Sequence, residues 1–145
     1  MIEMIKKIAP ILIILIFAIS TAYALNINDL QMPNDYSKKV GEGRYIIPNA
    51  YDNPRFIIKE YNESEFNFKN SSQYSFWPSD MKNIYYFKNN QKSDLGAVEL
   101  IEMDGKKYTV SSLYATTVMD KDYLRDSLNH IIQFNQKNNI DPINP

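Results

Sequence analysis

One imidazole, no thiol and three loose groups of carboxylates bound the chemistry open to this chain. His130 is the only histidine and there is no cysteine. A Ser-His-Asp arrangement could draw on no other imidazole, and no Gly-x-Ser-x-Gly elbow is present to lift a serine into reach. The lack of cysteine excludes a thiol nucleophile, a cysteine zinc site and a lipidated cysteine behind the leader. Carboxylates cluster as Glu60, Glu63 and Glu65, as Glu99 and Glu102, and as Asp120 and Asp122. Glycosidase chemistry needs two carboxyls about 5 to 9 Å apart, one of them with its pKa raised by apolar surroundings. Glu99, between Val98 and Leu100, is the best candidate for such an acid. The competing reading makes it a half-exposed strand residue, or a buried acid paired with a lysine or tyrosine. Asp120-Lys-Asp122 lacks the ligand count and turn glycine of a calcium loop, so a helix cap explains it better. Gly41-Glu-Gly43 lacks the continuation of a phosphate-cradling loop. No metal and no cofactor is expected.

Binding chemistry has more material. Tyr74, Phe76, Trp77, Tyr85, Tyr86 and Phe87 concentrate aromatic side chains mid-chain. Tyr74, Trp77, Tyr85 and Tyr86 form a candidate patch that could stack on a sugar or a partner surface. The alternative is core filling in a domain without disulfides. On a strand, Tyr85 and Phe87 share one face and Tyr86 takes the other. Asn62-Glu-Ser64 and Asn70-Ser-Ser72 match the N-glycosylation pattern, which marks Asn62 and Asn70 as candidate acceptors in an exported chain. Net charge is −1, and no run of Lys or Arg exceeds two residues. That balance lacks the basic patch that nucleic acid or anionic lipid requires.

The elements that must position these residues follow from pattern. Asp104-Gly105 separates Gly96–Met103 from Lys106–Tyr114, both rich in strand formers. This predicts a two-residue type I′ hairpin, since both turn positions need positive φ. The register pairs Glu102 with Lys107 and Ile101 with Tyr108, opposite-charge and apolar–aromatic contacts that each favour it. Apolar residues on both faces predict a strand pair central in a sheet. Leu124, Leu128, Ile131 and Ile132 recur at helical spacing, flanked by Tyr123 and Phe134. Asp120 and Asp122 start that helix and Asn138-Asn139 with Pro142 end it. Its wet face carries Arg125, Asp126, Asn129, Gln133 and Lys137, and His130 sits beside the apolar stripe. Shorter strands are expected at 44–48, 54–61 and 83–88. Asn34-Asp35 after Pro33 reads as a turn, Gly41 to Gly43 as a flexible lead-in, and 89–94 as a surface loop. The stretch 62–72 fits a loop or a helical turn equally. The expected fold class is α+β, a twisted antiparallel sheet covered by a long C-terminal amphipathic helix.

The amino terminus gives the address. Lys6 and Lys7 precede an apolar run from Ile8 to Ile19, followed by Ser20, Thr21 and Ala22-Tyr-Ala24. This is the layout of a secretory signal peptide with an A-x-A cleavage site. The run falls short of the roughly 20 apolar residues of a spanning helix. An uncleaved N-terminal anchor is the alternative, and in it the lysines keep the amino terminus cytoplasmic. Residues 25–145 then form a single exported domain, large enough for one core. Loss of residues 1–24 removes two lysines and one glutamate and leaves a net charge of −2.

The order of Met32-Pro-Asn-Asp-Tyr36, the hairpin of Gly96 to Tyr114 and the helix of Asp120 to Phe134 resembles the PsbP/Mog1-like superfamily. That resemblance implies a twisted antiparallel sheet under a C-terminal helix across about Leu30 to Asn138, but implies no activity, because the superfamily serves many functions. The Gly-x-Val-Glu-Leu run at Gly96–Leu100, the Lys-Tyr strand and Phe134-Asn-Gln-Lys-Asn138 are also similar to small exported proteins of methanogenic archaea. The reading that unites these features is an exported or cell-envelope binding module for an envelope protein or glycan, meeting the membrane only through residues 1–24. The alternatives are a carboxylate-dependent glycan hydrolase centred on Glu99 and an envelope component anchored by its leader.

Overall fold

The protein is described by a computed structural model over residues 27–63, 71–116 and 120–145. After a 3-10 turn at Ile27–Asp29, seven strands and one helix follow: β1 Lys38–Gly41, β2 Arg44–Ile46, β3 Arg55–Glu60, β4 Tyr74–Pro78, β5 Ile84–Asn89, β6 Asp94–Met103, β7 Lys106–Ala115 and α1 Lys121–Asn138. The strands form one antiparallel sheet in the order β1-β2-β3-β7-β6-β5-β4, against which α1 packs. This is the expected α+β class. The leader at 1–24 lies outside the described residues.

The long hairpin β6–β7 is the spine of the sheet, and it is central, as its two apolar faces require. Asp104 and Gly105 have φ of 51° and 76°, the pair of positive values a type I′ turn needs. The register follows: Glu102 opposes Lys107 and Ile101 opposes Tyr108. Gly96 on β6 has a different reason to be glycine. A Cβ there would lie 1.9 Å from the Ser112 carbonyl oxygen of β7. Two strands escape the sequence pattern. β1 is a short edge strand with exposed lysines and a bulge between Lys39 and Gly41, so it has no apolar alternation to read. β4 forms from the aromatic cluster at Tyr74–Pro78 and runs along the other edge, where Pro78 is tolerated.

Helix α1 starts and stops on its own side chains. The Asp120 carboxylate accepts from the Asp122 amide at 2.9 Å, and Asn139 ends the helix with φ 54° and ψ 50°. Leu124, Leu128, Ile131 and Phe134 are buried; Ile132 is only half-buried. Phe134, read as a flank, is therefore the true fourth member of the stripe. It packs on Phe56 of β3 at 5.2 Å between centroids, and Tyr36 meets Phe56 at 5.5 Å. Ile58, Ala97, Ile101 and Val110 complete this core. The segment before β1 is tied down from the helix: the Asn138 side chain exchanges hydrogen bonds with the Gln31 backbone at 2.7 and 2.8 Å, and Lys137 Nζ reaches the Met32 carbonyl at 3.2 Å. On the opposite face a smaller cluster gathers Phe87, Val98 and Leu113 with Ile57, Tyr74, Phe76 and Tyr85. Among the described residues no helix lies over that face.

Candidate ligand-binding groove

The open face of the sheet holds a groove of about 320 Å³. Strand alternation builds it. Along β3, Phe56 and Ile58 point to the helix while Arg55, Ile57 and Lys59 point away. Antiparallel register sets Arg55 beside Leu113 and Ile57 beside Ser111 of β7, with Val98 of β6 next in the row. Val98 and Leu113 make the floor. Tyr74 of β4 and Phe87 of β5 form one wall, and Arg44 of β2 lies at the other side. Asn89 is buried, and its Oδ1 accepts from the amides of Gln91 and Lys92 at 3.0 and 3.1 Å. That turn brings Lys92 to the groove.

Charge is concentrated there. Arg44, Arg55, Lys59 and Lys92 line the groove against Glu60 and Asp94. Arg55 Nη2 donates to Asp94 Oδ1 at 2.6 Å, with the two side chains 33% and 17% exposed. Arg55 Nε is buried without an acceptor. Neither arginine stands out in the sequence. The signal was nonetheless present in the alternation Arg55-Phe-Ile-Ile-Lys59, which puts two cations on one face and two core residues on the other.

The candidate residues divide between the faces. Tyr74 lines the groove and Tyr85 packs near it on the same face. Trp77 and Tyr86 oppose one another on the helix side, ring centroids 6.1 Å apart. The four therefore do not form one surface. The cause is the two-residue period that had already set Tyr85 and Tyr86 on opposite faces. Burial raises the Tyr86 hydroxyl, Asp80 adds to that and Arg125 opposes it. Asn62 is exposed and lines the groove near the end of β3; Asn70 lies outside the described residues.

Glu99 is 0% exposed, on the helix side of β6. Its Oε2 accepts from Asn135 Nδ2 of α1 at 2.7 Å, and its Oε1 has no partner. Burial pushes its carboxyl up to about 8, partly offset by the Asn135 hydrogen bond. It is a buried acid, as one reading had it, but paired with an asparagine rather than a lysine or tyrosine. His130 is half-buried at the helix–sheet contact. Its Nδ1 lies 3.3 Å from Ser112 Oγ and its ring meets Tyr36 edge-on at 5.0 Å. Burial lowers its pKa, opposed by Asp126 and Asp35. Ser112 is fully buried, so this serine–histidine contact is closed to substrate. Among the described residues no three His, Cys, Asp or Glu side chains converge as a metal site would need.

The chain matches no known family, no curated protein and no solved structure.

Proposed function

We propose that this protein is a binding module, exported or held at the cell envelope, that takes its ligand in the groove on the open face of the sheet. The observation that carries this reading is the concentration of four cations, two acids and an apolar floor in one concave site, on the face where no described helix packs. Concave sites with a few convergent polar groups are the default location of ligands. Glu99, by contrast, lies beneath α1 and out of reach of a glycan chain, so the hydrolase reading draws no comparable support. The order of hairpin and helix supports a PsbP/Mog1-like relationship, and the leader pattern at 1–24 supports export.

Hydrogen exchange of the protein with and without polysaccharide released from its host's cell surface tests the binding reading. Slowed exchange in β3, β7 and residues 89–93, with α1 unchanged, is expected. Equal exchange throughout would overturn it. Intact mass of the protein recovered from its host tests the address. A chain beginning at Leu25 is expected; a full-length chain held in membranes would make the leader an anchor.

A further inference from the structure

We infer that the ligand is an acidic sugar whose uronate carboxylate docks on Arg55. This rests on the groove being the binding site proposed above, and it adds the ligand's chemical class.

The charge comes first. The chain as a whole is slightly acidic, with net charge −1. The groove reverses that balance, with Arg44, Arg55, Lys59 and Lys92 against Glu60 and Asp94. A concave site lined by an excess of one sign attracts the opposite sign. The two acids keep the excess small, which suits a singly charged group better than a doubly charged phosphate.

Arg55 supplies the specific contact. Asp94 grips its Nη2 at 2.6 Å and holds the guanidinium in one orientation. Its Nε is buried and has no acceptor. That atom is closed to a ligand, but the side chain as a whole is 33% exposed and lines the groove, so a carboxylate meets the outward part of the guanidinium. The planar fork of arginine matches the two oxygens of a carboxylate, and Asp94 takes only one of the five N–H donors of this partly exposed guanidinium. Asp94 is a positioning residue in this arrangement.

Size and lining select a sugar. About 320 Å³ is near the small end of ligand sites, roughly 300 to 1,000 Å³. The floor of Val98 and Leu113 is apolar, while the hydroxyls of Thr109 and Ser111 stand beside it. A pyranose ring has the same division, with apolar C–H faces and a hydroxyl edge. A fatty-acid tail would set an apolar chain against those hydroxyls and the charged rim.

The test is saturation-transfer NMR on the protein as its own host produces it, with glucuronate and glucose as probes and inorganic phosphate as competitor. Glucuronate is expected to bind at least tenfold more tightly than glucose. Arg55→Gln should weaken it tenfold or more, and Lys92→Gln, in an exposed loop, a few-fold. Thermal melts establish that both variants fold; if Arg55→Gln does not, the Lys92→Gln loss and the glucuronate–glucose ratio decide. Equal binding of glucose, or glucuronate binding unchanged by Arg55→Gln, would overturn the acidic-sugar inference and leave the groove as a binding site. Displacement of glucuronate by phosphate at equal concentration would overturn the sugar in favour of a general anion site. No binding of either sugar also overturns the inference, while the exchange experiment with surface polysaccharide judges the wider reading separately.

Discussion

The two faces of one sheet carry different side chains. The helix face carries Phe56, Ile58, Ala97, Ile101 and Val110 under Leu128, Ile131 and Phe134, and among the described residues the only deeply buried charge-bearing group there is Glu99. The open face carries a small apolar cluster surrounded by arginine, lysine and carboxylate. Both faces come from the same strands, often from adjacent residues: Phe56 and Arg55, Ile58 and Lys59. The difference teaches that the two-residue period of a strand, rather than separate regions of chain, divides the packed core from the charged groove proposed to bind ligand. Substitutions on the helix face should cost folding, and those on the open face should cost binding.

The hardest test of that division is Phe134→Ala. A fully buried ring at the helix–sheet contact should cost about 3 to 5 kcal/mol in denaturant melts. Leu128→Ala should cost about 2 to 5 kcal/mol by the same mechanism. A loss below about 0.5 kcal/mol in either would mean that α1 does not seat on the sheet as described.

Glu99 sharpens the comparison through pH. Its carboxyl ordinarily titrates near 4.5 and is raised to about 8 in the folded protein. The folded state therefore holds the proton more tightly, and its contribution to stability is present below about pH 4.5 and lost as pH rises through about 8. Glu99→Gln keeps the shape and removes the charge. The variant should be more stable than the parent by roughly 4 kcal/mol near pH 8, with the difference vanishing near pH 4. Urea midpoints across that range check it; a difference that does not change with pH would refute the burial of the acid.

His130 gives a smaller effect of the opposite sign. Its folded pKa is lowered, so the unfolded chain binds more protons in the window below about 6.5, and stability falls as pH drops through it. His130→Gln should flatten that slope in melts between pH 5 and 7. The smallest stability effect belongs to the open face. Arg55→Gln removes a partly exposed ion pair and should move the melt by no more than about 1 kcal/mol. A loss as large as that of Phe134→Ala would erase the division between the faces.

Much of the scaffold was legible because it is local in sequence. Asp104-Gly105 dictates its turn, and the turn dictates the register of ten residue pairs from Met103–Lys106 to Asp94–Ala115. Asp120 and Asn139 bracket α1 with their own side chains and backbone. The rest was hidden for separate reasons. β1 has no alternation because it is an edge, and β4 hid inside a cluster read only as aromatic. The candidate patch is divided between the faces because Trp77 pairs with Tyr86 on the helix face while Tyr74 and Tyr85 turn away. The groove was legible only in the alternation Arg55-Phe-Ile-Ile-Lys59: Arg44, Lys92 and Asp94 are ordinary surface residues until four strands and a turn bring them together.

By itself, then, the sequence determined the hairpin, its register, the capped amphipathic helix, the α+β class and the absence of thiol chemistry. Each depends on residues within a turn or a few helical steps of one another, where backbone sterics and short hydrogen bonds decide. Only the tertiary structure decided which face α1 would cover, that Glu99 would meet Asn135 across 36 positions, and that Arg55 would meet Asp94 across 39. Those contacts depend on sheet order. Sheet order is set by burying the apolar surface of all the elements at once, a sum over the whole chain that no local window contains.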